Sequence, residues 1–202
     1  MLLISFTLTI TTTFIGCRES HSQISRPLLG TVVTITVADD QKNTAGDFDA
    51  AFREIEAVQK NLSIYDPESE VSVLNRTASL HPCKVSDDTF SLICRSLEIS
   101  EITGGAFDIT FASTGKLWDF SQDTFTPPDD KKIKSLLPLI SYKNVRLDGA
   151  GKTIKLLKKG TRIGLGGIAK GYATGKAISA LKQKKVKGAI VACAGDIQVI
   201  GD

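Results

Sequence analysis

The sequence is poor in the residues that define several classes of protein. It has 4 cysteines, 2 histidines and 1 tryptophan among 202 residues, and no two cysteines have Cys-x-x-Cys spacing. These counts argue against a disulfide scaffold and against a structural zinc site. The 25 basic and 22 acidic side chains leave a net charge of only +3, too weak and scattered for a nucleic-acid groove. After the first fifteen residues, no apolar run is long enough to cross a bilayer.

What remains is typical of one globular domain. Hydrophobic residues make up 42% and charged residues 23% of the chain, which is ordinary for a folded protein and unlike a disordered one. Predicted strands and helices are mixed without strict alternation, so we predict an α+β fold, a mixed layered α/β domain. The segment 70–75 is either a short helix or a tight loop. The predicted strands cover 28–37, 145–147, 153–157, 162–165, 189–193 and a last strand to 200. The predicted helices cover 47–62, 86–103, a short helix from 129, and 166 to about 185.

The N-terminus has the pattern of a targeting segment. Residues 1–15 are apolar and uncharged, too short for a membrane span but suited to the core of a signal peptide. The following Gly16-Cys17 resembles a bacterial lipobox, although Phe14 replaces the usual Leu and no basic residue precedes the run. We therefore predict a lipoprotein signal peptide over 1–16, a linker over 17–27 and a domain over 28–202. A lipid on Cys17 would anchor the chain to a bacterial membrane, facing the periplasm or the cell exterior. An uncleaved signal anchor or a frayed apolar tail is the alternative.

The other cysteines and the histidines carry no pattern of their own. Cys83, Cys94 and Cys193 are odd in number, so at least one is free, and a Cys83–Cys94 disulfide is the less favoured alternative to simple thiols. His21 and His81 lie in polar segments, where surface positions are expected. The basic run 182–187 is predicted to be a solvated helix end, where cations suit the helix dipole.

The glycine-rich segment 164–173 is the strongest candidate for a ligand site. Glycines between a strand and a helix leave backbone N–H groups bare, and the helix start favours a phosphate or pyrophosphate. Lys170 opposes the helix dipole, which a bound anion would explain. The segment lacks the spacing of a Walker loop or of a dinucleotide-binding Rossmann turn. A tight strand-to-helix turn without a ligand is the alternative.

Two further segments could contribute to such a site. Residues 104–110 (Gly-Gly-Ala-Phe-Asp-Ile-Thr) set Asp108 among apolar neighbours, where it either accepts hydrogen bonds from a ligand or stabilises its own loop. In the segment 63–75, Tyr65 could stack on a planar ring or pack within the protein.

In this order the segments resemble the FAD:protein FMN transferases, the ApbE-like flavin-trafficking lipoproteins. Residues 29–31 (Leu-Gly-Thr) are similar to that family's Met-Gly-Thr strand, and residues 63–75 to its Ser-x-Tyr…Leu-Asn segment. Residues 105–120 match a Gly-Ala-Phe-Asp-x-Thr…Leu-Trp-x-Phe segment, and residues 165–173 match Leu-Gly-Gly-Ile-Ala-Lys-Gly-Tyr-Ala. The resemblance covers roughly residues 28–202.

The resemblance implies a reaction and its partners. A member of this family binds FAD and Mg²⁺, transfers FMN to a threonine of an acceptor protein and releases AMP; some relatives hydrolyse FAD instead. Gly167 would offer a backbone carbonyl to the metal. The positions assigned to the FAD site are Leu29, Tyr65, Ala106, Phe107, Asp108, Gly164 and Lys170. No nucleic acid is implied.

The sequence also departs from the family pattern. Gly164 and Gly175 stand where the family has aspartates, and Ala194 interrupts a Gly-Gly-Asp. The family's catalytic histidine and metal-ligating aspartates lie in a later segment that has no counterpart before Asp202. We therefore expect a C-terminally truncated domain of weak or no transferase activity, with its catalytic residues unknown. The alternatives are a membrane-tethered FAD-binding protein without catalysis and an FAD pyrophosphatase.

Overall fold

A computed structural model describes residues 21–38, 44–118 and 127–201. The strands are β1 (Ser22–Leu28), β2 (Thr31–Val37), β3 (Cys83–Lys84), β4 (Val145–Asp148), β5 (Thr153–Leu156), β6 (Ala189–Cys193) and β7 (Asp196–Ile200). The helices are α1 (Thr44–Leu62), α2 (Glu70–Thr77), α3 (Asp87–Ile102), α4 (Asp130–Leu136) and α5 (Gly166–Gln183). Short 3-10 helices cover Ile109–Ser113, Gly115–Leu117, Leu137–Leu139 and Tyr142–Asn144. Helices packed on antiparallel sheets confirm the α+β class.

The larger sheet has four antiparallel strands in the order β1-β2-β6-β7. Side chains alternate across a strand, so β2 presents Val33, Ile35 and Val37 to the core, where each is almost fully buried. The opposite face of the sheet carries exposed apolar side chains, among them Ile197 and Val199 of β7. One face of this sheet therefore forms the core and the other does not.

Helices α1 and α5 pack against each other, and α5 also packs on β6 and β7. The apolar residues of α1 recur at helical spacing and are all buried, which confirms the predicted amphipathic helix. They are Phe48, Phe52, Ile55, Val58 and Leu62. Glycines let α5 approach β7 closely, since a Cβ on Gly171 would lie 3.4 Å from Asp196 and one on Gly175 would lie 3.3 Å from Gln198.

The smaller sheet has three antiparallel strands in the order β3-β5-β4. Strands β4 and β5 form the predicted hairpin, with Val145 opposite Leu156 and Asp148 opposite Thr153. Segment 70–75, for which a helix and a loop were both possible, lies in α2, and Ser69 caps its N-terminus by accepting a hydrogen bond from the Ser72 amide at 3.0 Å.

Three expectations from the sequence change. The predicted linker 17–27 overlaps β1, and the predicted strand 28–37 begins only at Thr31, because Leu29 and Gly30 form the turn between β1 and β2. Residues 162–165 do not form a strand, because side chains and not a neighbouring strand bind their backbone.

The alternative Cys83–Cys94 disulfide is wrong, because both thiols are free, as is Cys193. His21 and His81 are exposed, as expected. Among the described helices, none combines the length and the apolarity that a membrane crossing requires. The predicted signal peptide and Cys17 lie outside the described residues.

Candidate functional site

The segment ahead of α5 is held by side chains in place of a strand ladder. The Asn75 side chain from α2 accepts a hydrogen bond from the Ile163 amide at 2.7 Å and donates one to the Ile163 carbonyl at 2.9 Å. The Ser113 hydroxyl accepts from the Arg162 amide at 3.0 Å, and the Gly164 amide donates to the Ile109 carbonyl at 2.8 Å. Each of these backbone groups has a hydrogen-bond partner without a neighbouring strand, which explains why the segment lies outside both sheets.

These contacts bring the three sequence segments together. Asn75 belongs to the segment 63–75, Ile109 lies in the segment 104–110, which Ser113 follows, and Gly164 begins the glycine-rich segment. The helix α5 therefore starts at a point fixed by all three.

The start of α5 is an open cluster of backbone donors. Its N-cap residue, Leu165, provides no side-chain cap, and Gly166 and Gly167 are exposed. The amides of Ile168 and Ala169 donate to the Leu165 carbonyl at 3.0 and 2.8 Å. The amides of Gly166 and Gly167 donate no hydrogen bond to any acceptor among the described residues. A helix start with free N–H groups attracts an anion.

A cleft of about 270 Å³ opens beside this helix start. Its lining residues are Ala106, Phe107, Asp108, Ile109, Phe111, Gly164 and Gly167. The Phe107 ring lies 3.3 Å from the position that a Cβ on Gly167 would take, so the glycine admits the ring. The volume lies just below the roughly 300–1,000 Å³ of small-molecule sites, so the cleft has room for part of a small ligand.

Asp108 stabilises the wall of the cleft. One of its carboxylate oxygens accepts hydrogen bonds from the Thr110 amide at 2.8 Å and the Thr110 hydroxyl at 2.6 Å. The other accepts from the Tyr142 amide at 2.6 Å. These bonds cap the 3-10 helix Ile109–Ser113 and tie it to the segment that precedes β4. The carboxylate is therefore already engaged by its own protein, in agreement with the loop-stabilising alternative.

The cleft gathers five of the eight residues that the resemblance assigned to FAD or metal. They are Ala106, Phe107, Asp108, Gly164 and Gly167. Leu29, Tyr65 and Lys170 are not among its lining residues. Two lining residues, Ile109 and Phe111, were not predicted; the only signal for Phe111 in the sequence was its place in the aromatic stretch that follows Phe107.

The three remaining positions have distinct surroundings. Leu29 adopts a positive φ of 54° in the turn between β1 and β2, and its amide donates to the Gln59 side chain at 2.6 Å. Tyr65 is 90% exposed. Lys170 lies on the first turns of α5 near Cys193; burial raises the pKa of the Cys193 thiol, and the Lys170 charge opposes that rise.

The described residues do not fit a complete magnesium site. Within them, no three His, Cys, Asp or Glu side chains are grouped to hold one metal ion. Mg²⁺ requires near-octahedral oxygen coordination, which the Gly167 carbonyl alone cannot supply.

The fold and the cleft together define an α+β domain with a glycine-lined helix start facing an apolar cavity. The chain belongs to the ApbE family, whose family model matches residues 29–202.

Individual relatives agree with this assignment. An FAD:protein FMN transferase from Treponema pallidum is 28% identical over 92% of this chain and 54% of its own length. One from Klebsiella pneumoniae is 29% identical over 75% of this chain and 48% of its own length. The chain thus spans about half the length of these relatives.

Solved structures of the family share the fold. The ApbE protein from Thermotoga maritima superposes with a TM-score of 0.83 at 29% identity, covering 90% of this chain and 59% of that one. The flavin transferase ApbE from Vibrio cholerae gives the same TM-score at 22% identity, covering 90% of this chain and 60% of that one. This second likeness concerns the fold alone.

Proposed function

We propose that this chain binds FAD in the cleft beside α5 and takes part in transferring FMN to a threonine of an acceptor protein. The supporting observation is the start of α5 at Gly166 and Gly167, whose amides have no acceptor among the described residues and which lies beside a cleft lined by the segment 104–111 and by Gly164 and Gly167. The relatives named FAD:protein FMN transferase give the reaction class.

The residues of the cleft suit the chemistry of a flavin dinucleotide. The amides of Gly166 and Gly167 would donate to pyrophosphate oxygens, and the ammonium of Lys170 would add a positive charge. The exposed part of the Phe107 ring offers an aromatic surface to the ligand. Tyr65, which is almost fully exposed, has room to stack on a planar ring.

The transfer exchanges one phosphorus–oxygen bond for another. The threonine hydroxyl oxygen bonds to the FMN phosphorus, the bond to AMP breaks, AMP leaves and one proton passes to water. Donors aimed at the pyrophosphate stabilise the charge that develops on its oxygens. The described residues hold and orient the dinucleotide; we assign no general base among them. A magnesium requirement is part of the proposal, with the Gly167 carbonyl as one candidate ligand.

A second candidate function is FAD binding without transfer. Gly164 supports it, because this position carries an aspartate in the family pattern and here has no side chain. An added Cβ would lie 3.0 Å from the Cβ of Ala112, so the local packing is built around a glycine.

The test is to incubate the full chain with FAD, Mg²⁺ and a candidate acceptor domain and to follow flavin fluorescence on the acceptor band in a denaturing gel. A labelled band and released AMP support the transferase. Saturable FAD binding without either product supports the binding protein. Free FMN and AMP without a labelled band indicate pyrophosphatase activity. No FAD binding, with or without Mg²⁺, contradicts the whole proposal.

We also propose that Cys17 carries a lipid that anchors the chain to a membrane. The supporting pattern is the apolar run followed by Gly16-Cys17. Metabolic labelling with a radioactive fatty acid should mark the chain, and Cys17→Ser should abolish the label. Equal labelling of both would contradict a lipid at this position.

A further inference from the structure

The C-terminal end of α5 and the N-terminal end of β1 lie on the same side of the large sheet, where its strands begin or end. We call this side, which runs across β1, β2 and β6, the strand-end edge. Ser22, the first residue of β1, pairs with Val37; Val37 pairs with Ala189 of β6. The Ala38 amide donates to the Gly188 carbonyl at 2.9 Å, directly after the loop that leaves α5. Neighbouring strands are about 4.8 Å apart, so Ser22 and Ala189 are separated by only about 10 Å.

Four exposed lysines lie near this strand-end edge, at and just after the C-terminal end of α5. They are Lys182, Lys184, Lys185 and Lys187, and we call them the lysine cluster. In the described part of the chain, no carboxylate lies within salt-bridge distance of Lys182, Lys184 or Lys185. By contrast, Lys176 on the same helix is paired with Asp88 at 3.0 Å.

One of these lysines occupies an unfavourable backbone position. Lys185 has a φ of 63°, and the Val186 amide donates to the Leu181 carbonyl at 3.1 Å, the bonding pattern of a Schellman helix end. Glycine is the usual residue there, because a side chain is strained at positive φ. Because glycine would be less strained here, the lysine at this position suggests that its charge has a role beyond its interaction with the helix dipole.

We propose that the lysine cluster is a docking surface for anionic lipid headgroups. Cys17 precedes Ser22 by five residues, which extend to at most roughly 17 Å, so a lipid on Cys17 would hold this edge next to the bilayer. Lysines close to an anionic membrane strengthen attachment by roughly 1 kcal/mol each. The charge therefore lies where the anchor brings the membrane.

The same placement orients the cleft away from the membrane. Helix α5 has 18 residues and is about 27 Å long, with the lysine cluster at one end and the cleft at the other. An attached domain would present its FAD site to the aqueous side. This orientation rests on the lipid anchor and on the proposed FAD site, and the choice of a membrane as the partner rests on the anchor, whereas the vesicle test depends on neither.

The test measures co-sedimentation of the full chain with vesicles. All variants carry Cys17→Ser, so a covalent lipid cannot contribute, and the apolar N-terminus acts equally in each. Vesicles of phosphatidylcholine alone are compared with vesicles containing about one third phosphatidylglycerol, at low and high salt. The test variant combines Lys182→Gln, Lys184→Gln and Lys185→Gln.

We expect the triple variant to lose roughly 100-fold in partitioning to anionic vesicles at low salt and to match the unsubstituted chain on neutral vesicles. The matched control removes three exposed lysines of α4, with Lys131→Gln, Lys132→Gln and Lys134→Gln. Helix α4 leads toward Tyr142 and Asp108, at the cleft end, so this control should change partitioning by less than about threefold.

A single substitution separates binding from folding. Lys185→Gly relieves the positive φ and should raise Tm by about 2–4 °C while lowering anionic-vesicle partitioning about fivefold. Equal losses in the two triple variants, or unchanged binding in the first, would overturn the proposal. Binding to an acidic polypeptide but not to anionic vesicles would also overturn it, in favour of a protein partner. FAD titration of the same variants reports on the cleft separately.

Discussion

Individual glycines decide the geometry of the cleft for different reasons. Gly104 and Gly105 have φ values of 61° and 88°, which a side chain rarely adopts, so they serve the turn that precedes Phe107. Gly167 has ordinary helical geometry and serves close packing, since the Phe107 ring occupies the space of its missing Cβ. Gly166, its neighbour, has open space around it.

This difference makes a matched pair of substitutions. Gly167→Ala should push the Phe107 ring and lower FAD affinity about tenfold, a cost within the 1–3 kcal/mol typical of overpacking. Gly166→Ala should lower the affinity less, because its new methyl group meets no protein atom and leaves the Phe107 ring in place. Both gain up to about 1 kcal/mol in helix propensity, so thermal unfolding should not explain the result. FAD fluorescence titration measures both; equal affinities would show that Phe107 does not shape the site.

Asp108 illustrates a residue whose role the sequence left open. An aspartate among apolar neighbours could serve a ligand or its own loop, and no local pattern in the sequence relates it to Tyr142. Only the fold places the Tyr142 amide 2.6 Å from the carboxylate, 34 residues along the chain. A bare carboxylate would otherwise be desolvated at this half-buried position without compensation.

At the scale of elements, the segment 162–165 lies between β5 and the start of α5 beside the cleft. A strand was predicted here, but a strand requires a neighbour, and in the structure Asn75 and Ser113 supply the hydrogen-bond partners. Such side-chain partners lie 88 and 49 residues away in sequence, a separation that local patterns do not encode.

Removing this support should destabilise the segment. Asn75→Ala leaves the buried Ile163 amide and carbonyl without partners and should lower the free energy of unfolding by about 3 kcal/mol. It should also weaken FAD binding, because Gly164 would no longer be held.

Asn144→Ala is the matched control for this change, since its side chain donates to the Pro138 and Leu139 carbonyls outside the segment. Denaturant unfolding measures stability, and FAD titration of the folded fraction measures the site. If Asn75→Ala bound FAD no more weakly than Asn144→Ala, the segment would not depend on Asn75 for its position.

At the scale of the whole molecule, one polar junction joins three helices. Lys176 of α5 lies 3.0 Å from Asp88 of α3 and 3.6 Å from Glu54 of α1. The hydrogen bond from Lys176 lowers the pKa of Asp88 and raises that of Lys176. Burial, and then the hydrogen bond to Asp88, raise the pKa of Tyr172 to about 12.

This junction predicts a loss of stability in alkali. The unfolded chain releases the Tyr172 proton near pH 10, whereas the folded protein keeps it to about pH 12. The native state therefore binds more protons in this window, so the free energy of unfolding falls as the pH rises from 10 to 12. The contribution of Tyr172 to stability is fully present below pH 10 and is lost above about pH 12. The raised pKa of Lys176 acts in the same direction.

Denaturant unfolding across this range measures the slope. Tyr172→Phe should reduce it, while Tyr65→Phe, at a tyrosine that is 90% exposed, should leave it unchanged. An equal slope in Tyr172→Phe and the unsubstituted chain would contradict this origin of the alkaline sensitivity.

The sequence by itself determined the fold class, most element boundaries and the family, because hydrophobic periodicity, caps and ordered motifs are local properties of the chain. Helices α1, α3 and α5 and the β4–β5 hairpin follow their patterns closely. Tertiary structure alone decided which motif residues meet in the cleft, that Asp108 is engaged internally, and that 162–165 is pinned by side chains. Those outcomes depend on contacts between distant residues, whose geometry is fixed only when the helices pack on the sheets.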